Sequence, residues 1–147
     1  MMIGTHNLYY SLALLAVYPT ADSEQQQQYS MQVVANQEKM QKWAHHAPMN
    51  YQHKYDLVEA EKARIHGKNW AAGEYYDRAI EGAKEQGYLQ EEALANELAA
   101  EFYYSCNKDK IARVYLTEAY YGYIRWGAIA KVKDLEARYP QLVAQTL

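Results

Sequence analysis

Five histidines and a single cysteine are the residues of this chain best suited to bind a metal ion or to act as a nucleophile. His45 and His46 are adjacent, so on a helix their side chains diverge by about 100° and cannot share a metal ion without further ligands. No histidine is followed by the acidic residue that usually follows a phosphoacceptor histidine. No motif places a base beside Cys106, which we interpret as a small buried hydrophobic residue. We therefore expect neither a metal site nor a catalytic cysteine.

Carboxylates are concentrated between residues 91 and 101, where paired acids could do general acid-base chemistry. The members of this run are Glu91, Glu92, Glu97 and Glu101. Such a run is typical of a solvated helix face, which is the interpretation we adopt. The sequence also lacks a phosphate-binding Gly-x-x-x-x-Gly-Lys-Ser/Thr and the kinase motifs His-Arg-Asp and Asp-Phe-Gly. These observations predict a protein that is not an enzyme and that binds no cofactor.

Tyrosine dominates the aromatic composition, with 16 tyrosines beside a single phenylalanine. Six of the tyrosines fall on two successive predicted helices: Tyr103, Tyr104, Tyr115, Tyr120, Tyr121 and Tyr123. Two interpretations stay open, packing between the helices with each hydroxyl at the rim, or a surface that binds a partner protein. Stacking on nucleic-acid bases would need basic residues between the rings, and the net charge of −3 argues against a polyanionic partner.

Local signals place these residues on helices joined by short turns. Glycine and proline are few, with 7 and 3 residues, which favours an all-α fold. Thr5 is the predicted cap of the first helix, and Ser23 with Gln26 has the form of a capping box for the second. Asn69 is the predicted cap of the fourth. Short connections predict hairpins at about residues 5–47, 51–87 and 89–127, followed by a seventh helix at 128–138.

An internal repeat of 40 residues is the most informative pattern. The shift brings Ala60 onto Ala100, Ala72 onto Ala112, Tyr76 onto Leu116 and Ala79 onto Ala119. Alanines at this spacing let two helices approach closely while a large neighbour fills the gap. The pattern resembles an elongated, degenerate tetratricopeptide repeat, a helix-turn-helix unit of about 34 residues, although Glu59 lies where that repeat usually has leucine. The resemblance implies one repeat domain over residues 1–147, with its hairpins stacked in a right-handed superhelix.

A second resemblance covers nearly the whole chain. It rests on these ordered strings: Ala35-Asn-Gln-Glu-Lys-Met, His53-Lys-Tyr-Asp-Leu-Val-Glu-Ala-Glu, Tyr76-Asp-Arg-Ala-Ile, Glu92-Ala-Leu-Ala-Asn-Glu-Leu-Ala-Ala, Tyr115-Leu-Thr-Glu-Ala-Tyr-Tyr and Ala130-Lys-Val-Lys-Asp-Leu-Glu-x-Arg-Tyr-Pro. Together they are similar to the helical repeat region of very large bacterial hybrid signalling proteins. Those proteins join a serine/threonine kinase, an AAA/STAND-type ATPase, this region, a GAF domain and a histidine kinase.

The second resemblance implies a non-catalytic protein-protein interaction or regulatory module of a multidomain signal-transduction kinase. The alternative is a structural spacer that relays motion between an ATPase domain and a sensor domain without a ligand of its own. In tetratricopeptide-like stacks the first helix of each hairpin lines a concave groove. The residues that align with such a groove are Lys54, Glu61, Arg64, Glu97, Glu101 and Tyr104. Their mixed charge favours a protein or peptide segment, including other domains of the same kinase, over nucleic acid.

The first predicted helix is apolar almost all round, with Leu8, Leu12, Leu15 and Val17 among its side chains. An apolar face of this size is uncommon on a monomer, so we expect the isolated chain to form a two-fold homodimer through residues 8–17, from Leu8 to Val17. The longest apolar run, residues 12–18, is far below the ~20 residues needed to cross a bilayer, so no membrane partner is expected. A secretory signal would need a basic start, which leaves a cytoplasmic location as the expectation.

Overall fold

The computed structural model describes residues 2–145. Within this range the chain forms eight α-helices and a 3-10 turn at Tyr18–Thr20, with no strand. The helices are α1 (Met2–Val17), α2 (Ser23–His46), α3 (Pro48–Ile65), α4 (Asn69–Glu85), α5 (Leu89–Ser105), α6 (Asp109–Trp126), α7 (Ile129–Arg138) and α8 (Gln141–Gln145). The prediction of an all-α fold is confirmed, and α8 is a short addition that the sequence pattern did not indicate.

Contacts between Cα atoms divide the chain into two compact units, Met1–Gly82 and Ala83–Leu147. In the first unit α1 packs against α2 and α3, and α2 packs against α3. In the second unit α5 pairs with α6, and α7 contacts α6 and α8. Most of these contacts join helices adjacent in sequence, and α1 also contacts α3. The stacking of all hairpins as one superhelical domain stays a prediction.

The start of α2 lies one residue before the predicted capping box. Asp22 is the N-cap, and its Oδ1 accepts a hydrogen bond from the backbone N–H of Gln25 at 2.9 Å. The side chain of Gln25 in turn accepts from the backbone N–H of Asp22 at 3.4 Å. The assignment of this role to Ser23 and Gln26 was therefore wrong, because the helix starts one residue earlier and the N–H of Gln26 already donates to the backbone carbonyl of Asp22 at 2.8 Å.

Three other helix starts also differ from the predicted starts or caps. α1 begins three residues before Thr5, which therefore lies inside the helix and does not cap it. α3 begins at Pro48, three residues earlier than expected, because proline fits the first turn, where its missing N–H costs nothing. α4 already includes Asn69, and the cap position belongs to Lys68, whose carbonyl accepts from the N–H of Ala72 at 2.9 Å.

The 40-residue repeat recurs in the turns that end the helices. Gly67 and Asn107 have φ angles of 73° and 61°, and Gly87 and Gly127 have φ angles of 76° and 82°. Glycine adopts positive φ without strain, and asparagine is one of the few other residues that tolerates it. The chain therefore reverses at equivalent positions after α3 and α5, and again after α4 and α6.

Small residues mark the closest contacts between helices in both copies of the repeat. A Cβ atom added to Gly82 would lie 3.0 Å from the Cβ of His53, and one added to Gly122 would lie 3.0 Å from the Cβ of Ala93. These two contacts are also 40 residues apart, although the sequence alignment did not single them out. The aligned alanines are all buried, in agreement with that alignment: Ala60, Ala72, Ala79, Ala100, Ala112 and Ala119.

One face of α1 is covered by the first unit itself. Leu8, Ser11 and Leu15 follow each other at helical spacing and are buried, and α1 contacts α2 and α3. On the opposite face Tyr10 and Val17 are 44% and 49% exposed. Only this outward face of α1 is therefore open to a second copy of the chain, and the homodimer stays a prediction for that face.

Candidate functional site

Lys54, the first residue predicted to line a groove, is buried on α3 with only 2% of its surface exposed. Its Nζ donates to the carbonyl of Asn50 at 2.9 Å and lies 3.4 Å from Nε2 of His53. The same ammonium lies 6.0 Å from the centre of the Tyr51 ring. Lys54 is therefore engaged within the protein and is not presented to solvent.

Glu61 and Arg64, the next two predicted groove residues, form a cluster with Tyr76 of α4. The guanidinium of Arg64 donates from Nε and from one terminal nitrogen to the two carboxylate oxygens of Glu61, each at 3.1 Å. The hydroxyl of Tyr76 donates to the same carboxylate. Burial, and next the negative charge of Glu61, raise the pKa of Tyr76 far above its usual value. Burial alone would lower the pKa of Arg64, but its hydrogen bonds and charge pairing with Glu61 outweigh burial and raise it.

Glu97, from the second unit, is a buried carboxylate with three donors. The Tyr123 hydroxyl donates to it at 2.7 Å, Arg138 donates from a terminal nitrogen at 2.7 Å, and Nζ of Lys131 lies at 3.1 Å. Burial alone would lower the pKa of Arg138, but hydrogen bonds to Glu97, and also to Glu101 and Asp134, raise it strongly. The carboxylate thus joins α5 to α6 and α7.

The two remaining predicted groove residues lie at the end of α5, beside α7 and the residue that follows it. Glu101 is half-buried and accepts from Arg138 at 3.2 Å. The Tyr104 ring stacks on the Tyr139 ring with 5.6 Å between centres and 16° between planes. The Tyr104 hydroxyl is buried, and no hydrogen-bond partner is seen for it within the described residues. In the first unit Lys54 and Arg64 form hydrogen bonds with residues of their own helix, and Glu61 also bonds to Tyr76 of α4. In the second unit the predicted groove residues contact α6, α7 and Tyr139. The groove itself stays a prediction.

The acidic run on α5 is not a solvated helix face, and that interpretation was wrong. Glu91, Glu92 and Glu97 are 6%, 8% and 5% exposed. For Glu97 the physical reason is clear, since tyrosine, lysine and arginine donors from α6 and α7 replace water around the carboxylate. Cys106 is half-buried, so its interpretation as a buried hydrophobic residue was only partly right.

Tyrosines of the second unit mainly pack between helices. The rings of Tyr103 and Tyr115 stack with 5.2 Å between centres and 17° between planes. Tyr120 is buried and its hydroxyl donates to Glu136 at 2.6 Å, which raises the pKa of Tyr120. These contacts support the packing interpretation over a tyrosine surface for partners. Across residues 2–145, no group of three or more His, Cys, Asp or Glu side chains is arranged to hold a metal ion.

An open groove lies between α1 and α2, in the first unit, with a volume of about 610 Å³. Its lining residues are Ile3, His6, Asn7 and Tyr10 of α1, and Gln32, Asn36, Lys39 and Trp43 of α2. On each helix these residues recur every three or four positions, so each set forms one stripe along one face. Tyr10 and Trp43 give the groove aromatic walls, and carboxamides occupy its middle.

The carboxamides of the groove are fixed by hydrogen bonds between α1 and α2. The side-chain nitrogen of Asn7 donates to the backbone carbonyl of Asn36 at 2.9 Å. Asn36 donates to the Ser11 hydroxyl at 3.1 Å and accepts from Gln32 at 2.8 Å. Because Asn7 and Gln32 use their nitrogens in this network, their side-chain oxygens can accept hydrogen bonds from a ligand.

Contacts with α3 hold the end of the groove in position. The Trp43 ring lies 5.7 Å from the Tyr51 ring, with 45° between their planes. Tyr51 lies so close to α1 that a Cβ on Gly4 would come within 2.5 Å of its ring. Spacing alone could have revealed the two stripes in the sequence, but their Asn, Gln and His residues are also typical of an ordinary solvated face.

Comparison with known proteins gives one partial match. No known family model matches the chain, and no solved structure matches it. A segment of 61 residues, 42% of the chain, is 41% identical to hybrid signal transduction histidine kinase G of Dictyostelium discoideum. The matched segment is about 2% of the length of that relative. No helix in the described part of the chain has the length and apolar character needed to cross a membrane. A segment of the chain is thus similar to a small region of a signalling protein.

Proposed function

We propose that this chain is a non-catalytic protein-protein interaction or regulatory module of a multidomain signal-transduction kinase. The partial match supports the signalling context, since the relative is named a hybrid signal transduction histidine kinase. The partner is a protein or peptide segment, including other domains of such a kinase, and the location is the cytoplasm. Neither nucleic acid nor a membrane is a partner in this proposal.

The observation that carries the interaction role is the groove between α1 and α2. Its volume of about 610 Å³ falls in the range of ~300–1,000 Å³ that is usual for ligand sites. It combines aromatic rings at Tyr10 and Trp43 with fixed carboxamides at Asn7 and Gln32. Such a combination suits a peptide, because carboxamides bind backbone groups while aromatic walls hold an apolar side chain.

The buried carboxylates support a non-catalytic role. Glu61 is held by Arg64 and Tyr76, and Glu97 by Tyr123 and basic residues of α7. A general acid or base must reach the proton of a substrate, within hydrogen-bond distance or through one water molecule. Carboxylates that are buried and engaged in this way join helices and do not face a substrate.

A structural spacer is the second candidate, and one observation favours it. Lys54, Glu61 and Glu97 were predicted to line a groove for a partner, but they are buried and bonded within their own units. Internal pairing of this kind stiffens a helical stack without leaving surface for a ligand. The spacer is therefore the alternative if the groove between α1 and α2 binds nothing.

Selection from a random peptide library decides between the two candidates. The purified 147-residue chain is immobilised and panned with peptides displayed on phage, and an unrelated helical protein of similar charge serves as the control. An interaction module is expected to enrich a shared peptide pattern that the control does not enrich. A spacer enriches no pattern above the control, and that outcome contradicts the proposal.

A further inference from the structure

We infer that the groove between α1 and α2 binds an extended acidic peptide segment with an apolar side chain between its acidic residues. This inference rests on the proposed interaction function and names the chemical class of the partner. The groove runs along one stripe of each helix, from Ile3 to Tyr10 on α1. Seven helical steps cover roughly 10 Å, so about three or four residues of an extended peptide lie within the groove.

Charge complementarity determines the sign of the partner. Among the described residues that line the groove, His6 and Lys39 carry basic groups and none carries a carboxylate. Lys42, one turn beyond Lys39 on α2, is exposed as well. The chain as a whole has a net charge of −3, whereas the charged groups of this groove are basic. A carboxylate placed beside Lys39 would form a charge-assisted hydrogen bond there.

The apolar walls determine the rest of the chemistry. Tyr10 and Trp43 are the aromatic residues of the groove, and the ring of Trp43 packs against the ring of Tyr51 of α3. Trp43 lies at the Gly4 end of α1 and Tyr10 at the other end of the groove, so an aromatic or long aliphatic side chain packs on either ring. A bare polyanion does not use these rings. The side-chain oxygens of Asn7 and Gln32 can accept the N–H groups of an extended backbone. The partner is therefore a peptide and not a nucleic acid.

A second copy of the chain is a poorer occupant of this groove. The homodimer expected from the sequence uses α1, and α1 contains no acidic residue in its described length. An α1 helix from another copy would therefore bring no carboxylate to Lys39. Because Tyr10 belongs both to the outward face of α1 and to the groove, peptide binding is measured at concentrations where the chain is a monomer.

The test uses short labelled peptides and fluorescence anisotropy. The first peptide is Glu-Phe-Glu-Leu-Glu, the second replaces each Glu by Gln, and the third replaces Phe and Leu by Ala. The first is expected to bind at least about tenfold more tightly than either of the others, because each of them loses one of the two interactions. Added salt should weaken the first peptide and leave the second unchanged. Equal affinity for all three overturns the inference.

Charge reversal locates the binding site. Lys39→Glu should weaken the first peptide about tenfold or more, since it replaces an attractive charge by a repulsive one. Lys133→Glu makes the same change at an exposed lysine of α7 and should leave the affinity unchanged. Both substituted side chains are exposed, so circular dichroism should show the parent helix content in both variants. If both variants bind like the parent, the groove is not the site.

Tryptophan emission provides an independent signal. Trp70 and Trp126 are 84% and 50% exposed, so both can be changed to Phe with little effect on the core, leaving Trp43 as the reporter. The first peptide should shift the emission of Trp43, and Lys39→Glu should abolish the shift. Tighter binding of an oligothymidine than of this peptide, or filling of the groove by a second copy as the chain is concentrated, overturns the inference.

The two proposals fail in different ways. Library selection could enrich peptides that bind the Lys39→Glu variant as tightly as the parent. That result would support the interaction module and overturn the inference that the groove binds an acidic peptide. No enriched pattern, together with no binding of the three peptides, contradicts both proposals and favours the spacer.

Discussion

The carboxylate of Glu97 offers the sharpest test of what holds α7 in place. It accepts from Tyr123, which is 3% exposed, and from Arg138 and Lys131, whose side chains are 38% and 40% exposed. Ion pairs with such exposed partners contribute roughly 0–1 kcal/mol each, because water screens them. The buried Tyr123 hydroxyl is the more sensitive partner, since losing its acceptor costs about 1–3 kcal/mol.

These magnitudes predict an order among substitutions of Glu97. Glu97→Gln keeps an acceptor for Tyr123 and loses the two ion pairs, so it should cost about 1–2 kcal/mol. Glu97→Leu also leaves the Tyr123 hydroxyl without its acceptor, so it should cost about 3 kcal/mol. Adding Arg138→Met to the parent should cost about 1 kcal/mol, but much less on the Glu97→Gln background, because the two residues share one interaction.

Urea unfolding followed by circular dichroism measures all of these free energies. Glu118→Gln is the matched control, since Glu118 is an exposed glutamate on α6 and its change should leave stability within about 0.5 kcal/mol of the parent. A Glu97→Leu variant as stable as the parent would refute the stabilising role of the contacts that Glu97 makes with Tyr123 and the basic residues of α7. Equal costs for Glu97→Gln and Glu97→Leu would show instead that Tyr123 does not depend on this acceptor.

Three further predictions address pH, packing and assembly. Burial raises the pKa of the Asp56 carboxyl above its ordinary value of 3.8. The stability that this carboxyl contributes is therefore present below its unfolded-state pKa and is lost as the pH rises through its folded-state pKa. Asp56→Asn should accordingly gain stability relative to the parent over that pH range, as measured by urea titrations. Ala72→Leu should cost roughly 1–3 kcal/mol in thermal melts because Ala72 is fully buried, whereas Glu74→Leu, at an exposed position, should change little. Light scattering across a dilution series should show a dimer that Val17→Asp dissociates, and a monomer mass at every concentration would contradict the expected homodimer.

Helix ends were predictable where a glycine follows them, whereas the start of α3 at Pro48 was predicted three residues too late. The last hairpin was predicted to begin at residue 89, where α5 begins, and Gly87 and Gly127 adopt the left-handed conformation after α4 and α6. Caps were less predictable, because Asp22 and Ser23 are neighbouring polar residues and only the backbone geometry decides between them. Local signals therefore define where helices end more reliably than which residue caps them.

Burial of charged residues could not be predicted from local patterns. Lys131 and Arg138, the partners of Glu97, lie 34 and 41 residues further along the chain. A run of glutamates on one helix has the same local pattern whether its partners are water or basic residues of a distant helix. The aligned alanines were predictable, since small residues that recur at the repeat period already indicate close helix packing.

The two copies of the repeat have equivalent turns and close helix contacts but differ in their buried polar pairs. In the first copy Glu61 accepts from Tyr76. The residues 40 positions later are Glu101 and Leu116, and there the carboxylate accepts from Arg138 instead. An apolar residue thus replaces the tyrosine, and the glutamate finds its donor on α7.

The pair formed by Glu97 and Tyr123 has no equivalent in the first copy either. The residues 40 positions earlier are Leu57 and Ala83, both buried and apolar. If a helix paired one repeat, or 40 residues, out of position, Glu97 would face Ala83 in place of Tyr123. The buried carboxylate would then lack this donor, which is unfavourable. Small residues and positive-φ turns give both hairpins the same shape, so the polar pairs are the feature that distinguishes the correct helix pairing from its 40-residue alternative.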